Sequence, residues 1–156
     1  SGGIADGRGL AAALTLGAQA VSLGTRFVCS DESRAAYKDR VVAATGADTF
    51  YTEMFDVGWP RAPHRVLRNR IVDEWIAAGS PASGQRAGEG EVTGKMPVGG
   101  QTVELPRYGI FMPMEGFEGD LDASVLYAGQ SCSLVNDVRP AADIVAALAR
   151  DAEAVR

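Results

Sequence analysis

Ser1-Gly2-Gly3-Ile4-Ala5-Asp6-Gly7-Arg8-Gly9 opens the chain, and Leu23-Gly24-Thr25-Arg26 follows after one helix-length and one strand-length of sequence. That is the spacing of a βα unit, which sets both turns at the same end of adjacent parallel strands. Glycine lets backbone N–H groups approach an anion without a Cβ in the way, and the Thr25 hydroxyl adds a donor. Parallel barrels commonly bind phosphate with the loops after strands seven and eight. The same glycines also read as plain turns. No Gly-Lys-Ser/Thr follows the first turn, so this is not a P-loop. No strand precedes it here, so it is not the dinucleotide fingerprint.

Between the turns, Asp6 is placed to cap a helix whose face carries Leu10, Ala13 and Leu14, and Gly17 ends it. Ala20-Val21-Ser22-Leu23 is a strand candidate. Downstream, the pattern predicts a helix over 31–45, with Tyr37, Val41 and Ala44 on one face. An extended stretch from Thr49 to Phe55 leads to a turn at Asp56-Val57-Gly58-Trp59-Pro60. Leu67, Ile71 and Trp75 at four-residue spacing predict a helix over 65–77, stopped by Gly79 and Pro81. Ten of the 21 residues from 80 to 100 are Gly, Pro or Ser. They read as a long excursion, with a weak hairpin as an option and residues 102–105 as a strand. Asp120 caps a predicted helix through Leu121, Val125, Ala128 and Cys132. Pro140 opens the first turn of a last helix striped by Ile144, Leu148, Ala152 and Val155.

Composition bounds the function. The chain has 156 residues, a net charge of −5 and no basic run, which argues against a nucleic-acid partner. No apolar stretch approaches the ~18–20 residues of a transmembrane helix, and no secretory pattern is visible at the start. Cys29 and Cys132 are too few for a disulfide framework, so a reducing, cytoplasmic setting is expected. The single histidine, His64, cannot build a multi-histidine metal site. The first residue is Ser1, running straight into a glycine turn, and the expectation is a piece of a longer protein.

Three runs carry a family resemblance: GGIADGRGLAAALTLGAQAVSLGTRFV at 2–28, YTEMFDVGWPRAPHRVLRNR at 51–70, and YAGQSCSLVNDVRPAADIV at 127–145. Together they resemble the nitronate monooxygenases, also called 2-nitropropane dioxygenases. The first run alone is also similar to FMN-dependent enoyl reductases. The resemblance implies an α/β protein, the C-terminal portion of a flavin-binding (β/α)8 barrel. It divides the chain into a barrel end with phosphate loops (1–45), an excursion (46–118) and closing helices (119–156). A whole barrel needs ~250 residues, so strands one to six are absent.

The resemblance further implies FMN as cofactor, with its phosphate held by Gly2, Gly3, Leu23, Gly24 and Thr25. Tyr127 and Gln130 would stand near the substrate mouth. The intact protein would oxidise alkyl nitronates with O₂, with the missing N-terminal half of the barrel as a companion. The alternatives are an enoyl reductase-like protein, or a truncated fragment or split subunit without activity. The family's catalytic histidine lies ahead of the glycine turn, so no catalytic residue is expected in this chain. His64, read at a helix start, is taken as a surface or capping residue. Trp59 and Trp75 are read as packing anchors, with Trp59 a second candidate for the mouth. Cys29 and Cys132 are read as buried apolar residues, and Arg65, Arg68 and Arg70 as a solvated face.

Overall fold

The computed structural model describes residues 1–155. In chain order the elements are α1 (Gly7–Thr15), α2 (Thr25–Val28), α3 (Lys38–Ala43), β1 (Thr49–Thr52), β2 (His64–Leu67) and α4 (Arg70–Ala77). Then come β3 (Val92–Val98), β4 (Gln101–Pro106), β5 (Glu118–Gly119) and α5 (Ala141–Glu153). The fold is α/β, with an antiparallel β1-β2 pair and a β4-β3-β5 sheet. No barrel closes among the described residues. None of their helices is long and apolar enough to cross a membrane. The chain divides into two compact units. The first comprises residues 1–34, 38–47 and 128–156; the second comprises 35–37 and 48–127.

In the first unit, α1 begins where the sequence predicts. The Asp6 carboxylate accepts from the Gly9 N–H at 2.8 Å, and Gly17 at φ +95° ends the helix. α1 packs on α5 through small residues. A Cβ at Gly7 would lie 2.6 Å from the Ala152 backbone nitrogen, so only glycine allows this approach. Ala11, Ile144, Leu148 and Ala152 are buried along the two helices. The cap of α5 comes from afar: a Glu32 carboxylate oxygen accepts from Ala141 N–H at 2.8 Å. Pro140 stands just outside the first turn, with extended ψ, rather than inside it.

Two expectations fail in this part of the chain. Ala20–Leu23 forms no strand, because a strand exists only with a partner and no ladder reaches these residues. The predicted 31–45 helix shrinks to α3. Its first half is claimed by other pairing in the second unit: Ala35 bridges to Met114, and the Ala36 N–H donates to the Pro113 carbonyl at 3.0 Å.

The second unit is built on the β1-β2 ladder, Thr49 opposite Leu67 through Thr52 opposite His64. Its core gathers Met54, Phe55, Val66, Ile71, Val72, Tyr108 and Val125. The predicted helix over 65–77 divides. Residues 64–67 pair with β1, Asn69 is extended at φ −142°, and only then does α4 begin. Four-residue spacing ran across a strand–helix junction there, and tertiary pairing overrode it. The predicted helix from Leu121 to Cys132 likewise breaks into 3₁₀ turns at Leu121–Ala123 and Gln130–Leu134. The stretch between them is held extended. The Leu126 carbonyl accepts from Leu67 N–H at 2.8 Å, and the Ser124 carbonyl accepts from the Asn69 side-chain amide at 2.9 Å. Asp120 does cap its turn, accepting from Asp122 N–H at 2.8 Å.

The Gly/Pro-rich excursion is ordered. Its hairpin is not weak: β3 and β4 pair over their length, joined by Gly99-Gly100, both at positive φ as a two-residue primed turn requires. Residues 83–91 wrap around Arg86, which is 6% exposed. Its guanidinium donates to the Met54 carbonyl, to Asp56 at 2.6 Å and to Glu89 at 2.7 and 2.8 Å, and it lies 4.4 Å from the Tyr108 ring centre. Burial works against the charge, and the Glu89 and Asp56 carboxylates outweigh it.

Candidate functional site

Gly2 and Gly3 are exposed and left-handed, at φ +80° and +75°. Any other residue would be strained there, and no atom stands within 4 Å of where a Cβ would lie. Leu23 is half-buried and outside any element. Gly24 is exposed, has right-handed helical φ and ψ, and also has open space around its Cβ position. These turns therefore offer backbone to solvent without side chains in front of it.

Thr25 is more engaged. Its hydroxyl oxygen accepts from the Gly129 N–H at 2.8 Å, across 104 residues of sequence. The next residue, Arg26, is buried, and its Nη2 reaches the Asp137 carboxylate at 2.9 Å and the Asp137 carbonyl at 3.0 Å. Asp137 also pairs with Arg139, and these two arginines hold its carboxyl below the ordinary range, Arg139 first. Sequence reasoning missed Gly129, Arg26 and Asp137 as partners. The only available signal was that the quoted runs 2–28 and 127–145 contain both ends of each contact.

The two mouth candidates fall in different units. Tyr127 is half-buried in the second. Its phenol donates to the Ile110 carbonyl at 2.9 Å, its carbonyl accepts from the Tyr37 hydroxyl at 3.2 Å, and burial raises its pKa. It serves packing, with no side-chain donor left over. Gln130 is exposed at the start of its 3₁₀ turn in the first unit.

His64 starts β2 rather than a helix and is half-buried, not on the surface. Its Nδ1 lies 2.6 Å from the Ala62 carbonyl, and its ring stands edge-on to Tyr127 at 5.4 Å. No group of three or more His, Cys, Asp or Glu able to hold a metal ion occurs among the described residues. Cys29 and Cys132 are buried, as expected, and burial pushes the Cys29 thiol up. Trp75 is a packing anchor, edge-on to Phe50 at 6.4 Å, whereas Trp59 is 65% exposed. Arg68 and Arg70 are exposed, as read, but each is paired, with Asp73 and with Glu74 and Asp120. Arg65 is half-buried and donates to the Thr49 hydroxyl at 3.1 Å.

The family model for nitronate monooxygenase matches residues 1–151. The chain belongs to the nitronate monooxygenase family. The nitronate monooxygenase of Pseudomonas aeruginosa is 33% identical over 153 residues, covering 97% of this chain and 38% of that protein. Nitronate monooxygenase npaC of Metarhizium robertsii is 49% identical over 80 residues, covering 45% of this chain and 22% of the relative. Among solved structures, FabK from Thermotoga maritima matches with a TM-score of 0.65 and 32% identity. That match covers 99% of this chain and 43% of the other. The chain thus spans less than half the length of the curated relatives it matches. As a nitronate monooxygenase family member it is related to oxidoreductases, and a flavin is the group that the family implies.

Proposed function

We propose that this chain is the C-terminal portion of a flavin-binding (β/α)8 barrel in which it holds the FMN phosphate, and that the intact protein oxidises alkyl nitronates with O₂. The observations that carry the reading are the open glycine backbone at Gly2, Gly3 and Gly24 and the Thr25 hydroxyl that follows Gly24 in the chain. A phosphate oxygen needs N–H and O–H donors, and no side chain at these glycines bars its approach. Gly2, Gly3, Leu23 and Gly24 would present amides and Thr25 its hydroxyl. FMN, when bound, supplies electron transfer from the nitronate to O₂, and the protein's part is to bind, orient and exclude. This chain contributes binding and orientation at the phosphate end, with Gln130 near the mouth. It contributes no catalytic base, and alone it is inactive. The remaining strands come from a preceding portion of the barrel, in the cytoplasmic setting expected of a chain with two cysteines.

The test is a flavin titration followed by quenching of FMN fluorescence, on the wild type and Thr25→Ala. Loss of one charge-assisted hydrogen bond predicts FMN binding weaker by about tenfold or more. Unchanged affinity overturns the phosphate assignment.

A second reading is an enoyl reductase-like protein that would use a reduced nicotinamide, and the relatives include an oxidoreductase other than a nitronate monooxygenase. A carboxyl-CoA dehydrogenase of Mycobacterium tuberculosis is 30% identical over 176 residues, covering 97% of this chain and 48% of that protein. Bleaching of the flavin by NAD(P)H, with no nitronate-driven oxygen uptake, would select it.

A further inference from the structure

We infer that Gly129 and Arg26 are positioning residues that aim the Thr25 hydroxyl, so that the Gly129–Asp137 segment senses an anion held at Thr25. The inference rests on the phosphate reading above.

A hydroxyl has one proton and two lone pairs. In Thr25 one lone pair is taken by the Gly129 N–H at 2.8 Å. The proton must then point away from Gly129, and among the described residues it has no acceptor. Thr15 shows the usual alternative, donating back to the Ala11 carbonyl at 2.8 Å one helical turn earlier. Thr25 has no such turn behind it, because Val21 lies outside any helix. Its donor is therefore kept for something outside the fold.

The neighbouring contacts fix that geometry. Arg26 is buried and clamped to both the carbonyl and the carboxylate of Asp137, so the backbone at 25–26 cannot swing. Residues 25 and 26 thus hold the two ends of one segment, Gly129 and Asp137. Its middle is tied as well, by Gly46 N–H donating to Ser133 Oγ at 2.6 Å. A hydroxyl that donates to an anion becomes a better acceptor, because hydrogen bonds in a chain polarise one another. An anion on the Thr25 proton side therefore tightens the Thr25–Gly129 bond, and the effect arrives one residue from Gln130.

Amide hydrogen exchange at Gly129 reads this directly, in the chain alone, with FMN, and with riboflavin, which has the same ring but no phosphate. FMN is expected to raise Gly129 protection about threefold, on the scale of such polarisation, and riboflavin to leave it unchanged. Thr25→Ser should keep the response and Thr25→Val should abolish it. If FMN binds more tightly than riboflavin but Gly129 does not respond, or responds equally in Thr25→Val, the positioning role is overturned while the phosphate grip stands. If FMN binds no better than riboflavin, or does not bind, the phosphate reading falls and this inference with it. Should Thr25→Val fail to fold, the wild-type comparison of the two flavins and the Thr25→Ser response still decide.

Discussion

Two groups of glycines in this chain do opposite work. At Gly2, Gly3 and Gly24 glycine leaves backbone bare, with no atom within 4 Å of a would-be Cβ. At Gly94 and Gly119 it lets other groups close in. A Cβ at Gly94 would lie 2.3 Å from the Phe117 ring, and one at Gly119 would lie 2.5 Å from the Gly94 backbone. The polar groups differ in the same way. Around Arg86 the nearby carbonyl and carboxylates are consumed by one guanidinium, whereas Thr25 retains a proton with no internal acceptor. Glycine content marks neither disorder nor a binding site. What separates the two is whether the neighbouring donors and acceptors are already used.

The largest effect should come from Arg86→Ala. It would strip the Asp56 and Glu89 carboxylates and the Met54 carbonyl of the guanidinium that they share, and remove the cation from the Tyr108 face. Removing one member of a buried charge network costs about 3 kcal/mol or more. Urea unfolding should register that loss, and a change below about 1 kcal/mol would mean that the loop is not organised by Arg86.

Next is a matched pair of glycine substitutions. Gly94→Ala forces its Cβ into the Phe117 ring and toward the Glu118 carbonyl at 3.1 Å, an overpacking worth about 1–3 kcal/mol. Gly24→Ala meets open space at an ordinary backbone conformation, so its stability should change by less than about 0.5 kcal/mol. If the phosphate reading is right, Gly24→Ala should instead weaken FMN binding by crowding the amide edge. Equal stability losses in the two variants would erase the contrast between the regions.

Much of this contrast was legible in the sequence, and some of it could not have been. Asp6 as a cap, Gly17 as a stop, the 56–60 turn and the final helix are local events, encoded within a few residues. The failures at 31–45, 65–77 and 121–132 share one cause. In each, a helical spacing was real but backbone groups found partners far along the chain: Ala36 N–H at the Pro113 carbonyl, Leu67 N–H at the Leu126 carbonyl, and the Ser124 carbonyl at the Asn69 side-chain amide. Periodicity says which side chains share a face, not where the carbonyls find partners. The candidate site divides in the same manner. Its glycines were visible as a motif, while the Thr25–Gly129 bond spans 104 residues and has no local signature.

The smallest effect separates the regions by acid. Arg86 holds the Glu89 carboxyl down to about 2, from an ordinary 4.5. A carboxyl with a depressed folded pKa adds stability that is complete above its unfolded value and drains as pH falls toward the folded one. The 83–91 loop should therefore stay protected at pH 5 and loosen progressively between pH 4.5 and 2. The Gly84 amide, which donates to Glu89 Oε2 at 2.8 Å, is the reporter for an exchange protection factor measured across that window. The bare turns have no such carboxylate, so protection factors at Gly2 and Gly3 should stay near their unprotected values at every pH. A Gly84 protection factor independent of pH across the window would place the order of the excursion in its hairpin and core contacts, and not in the ion cluster at Arg86.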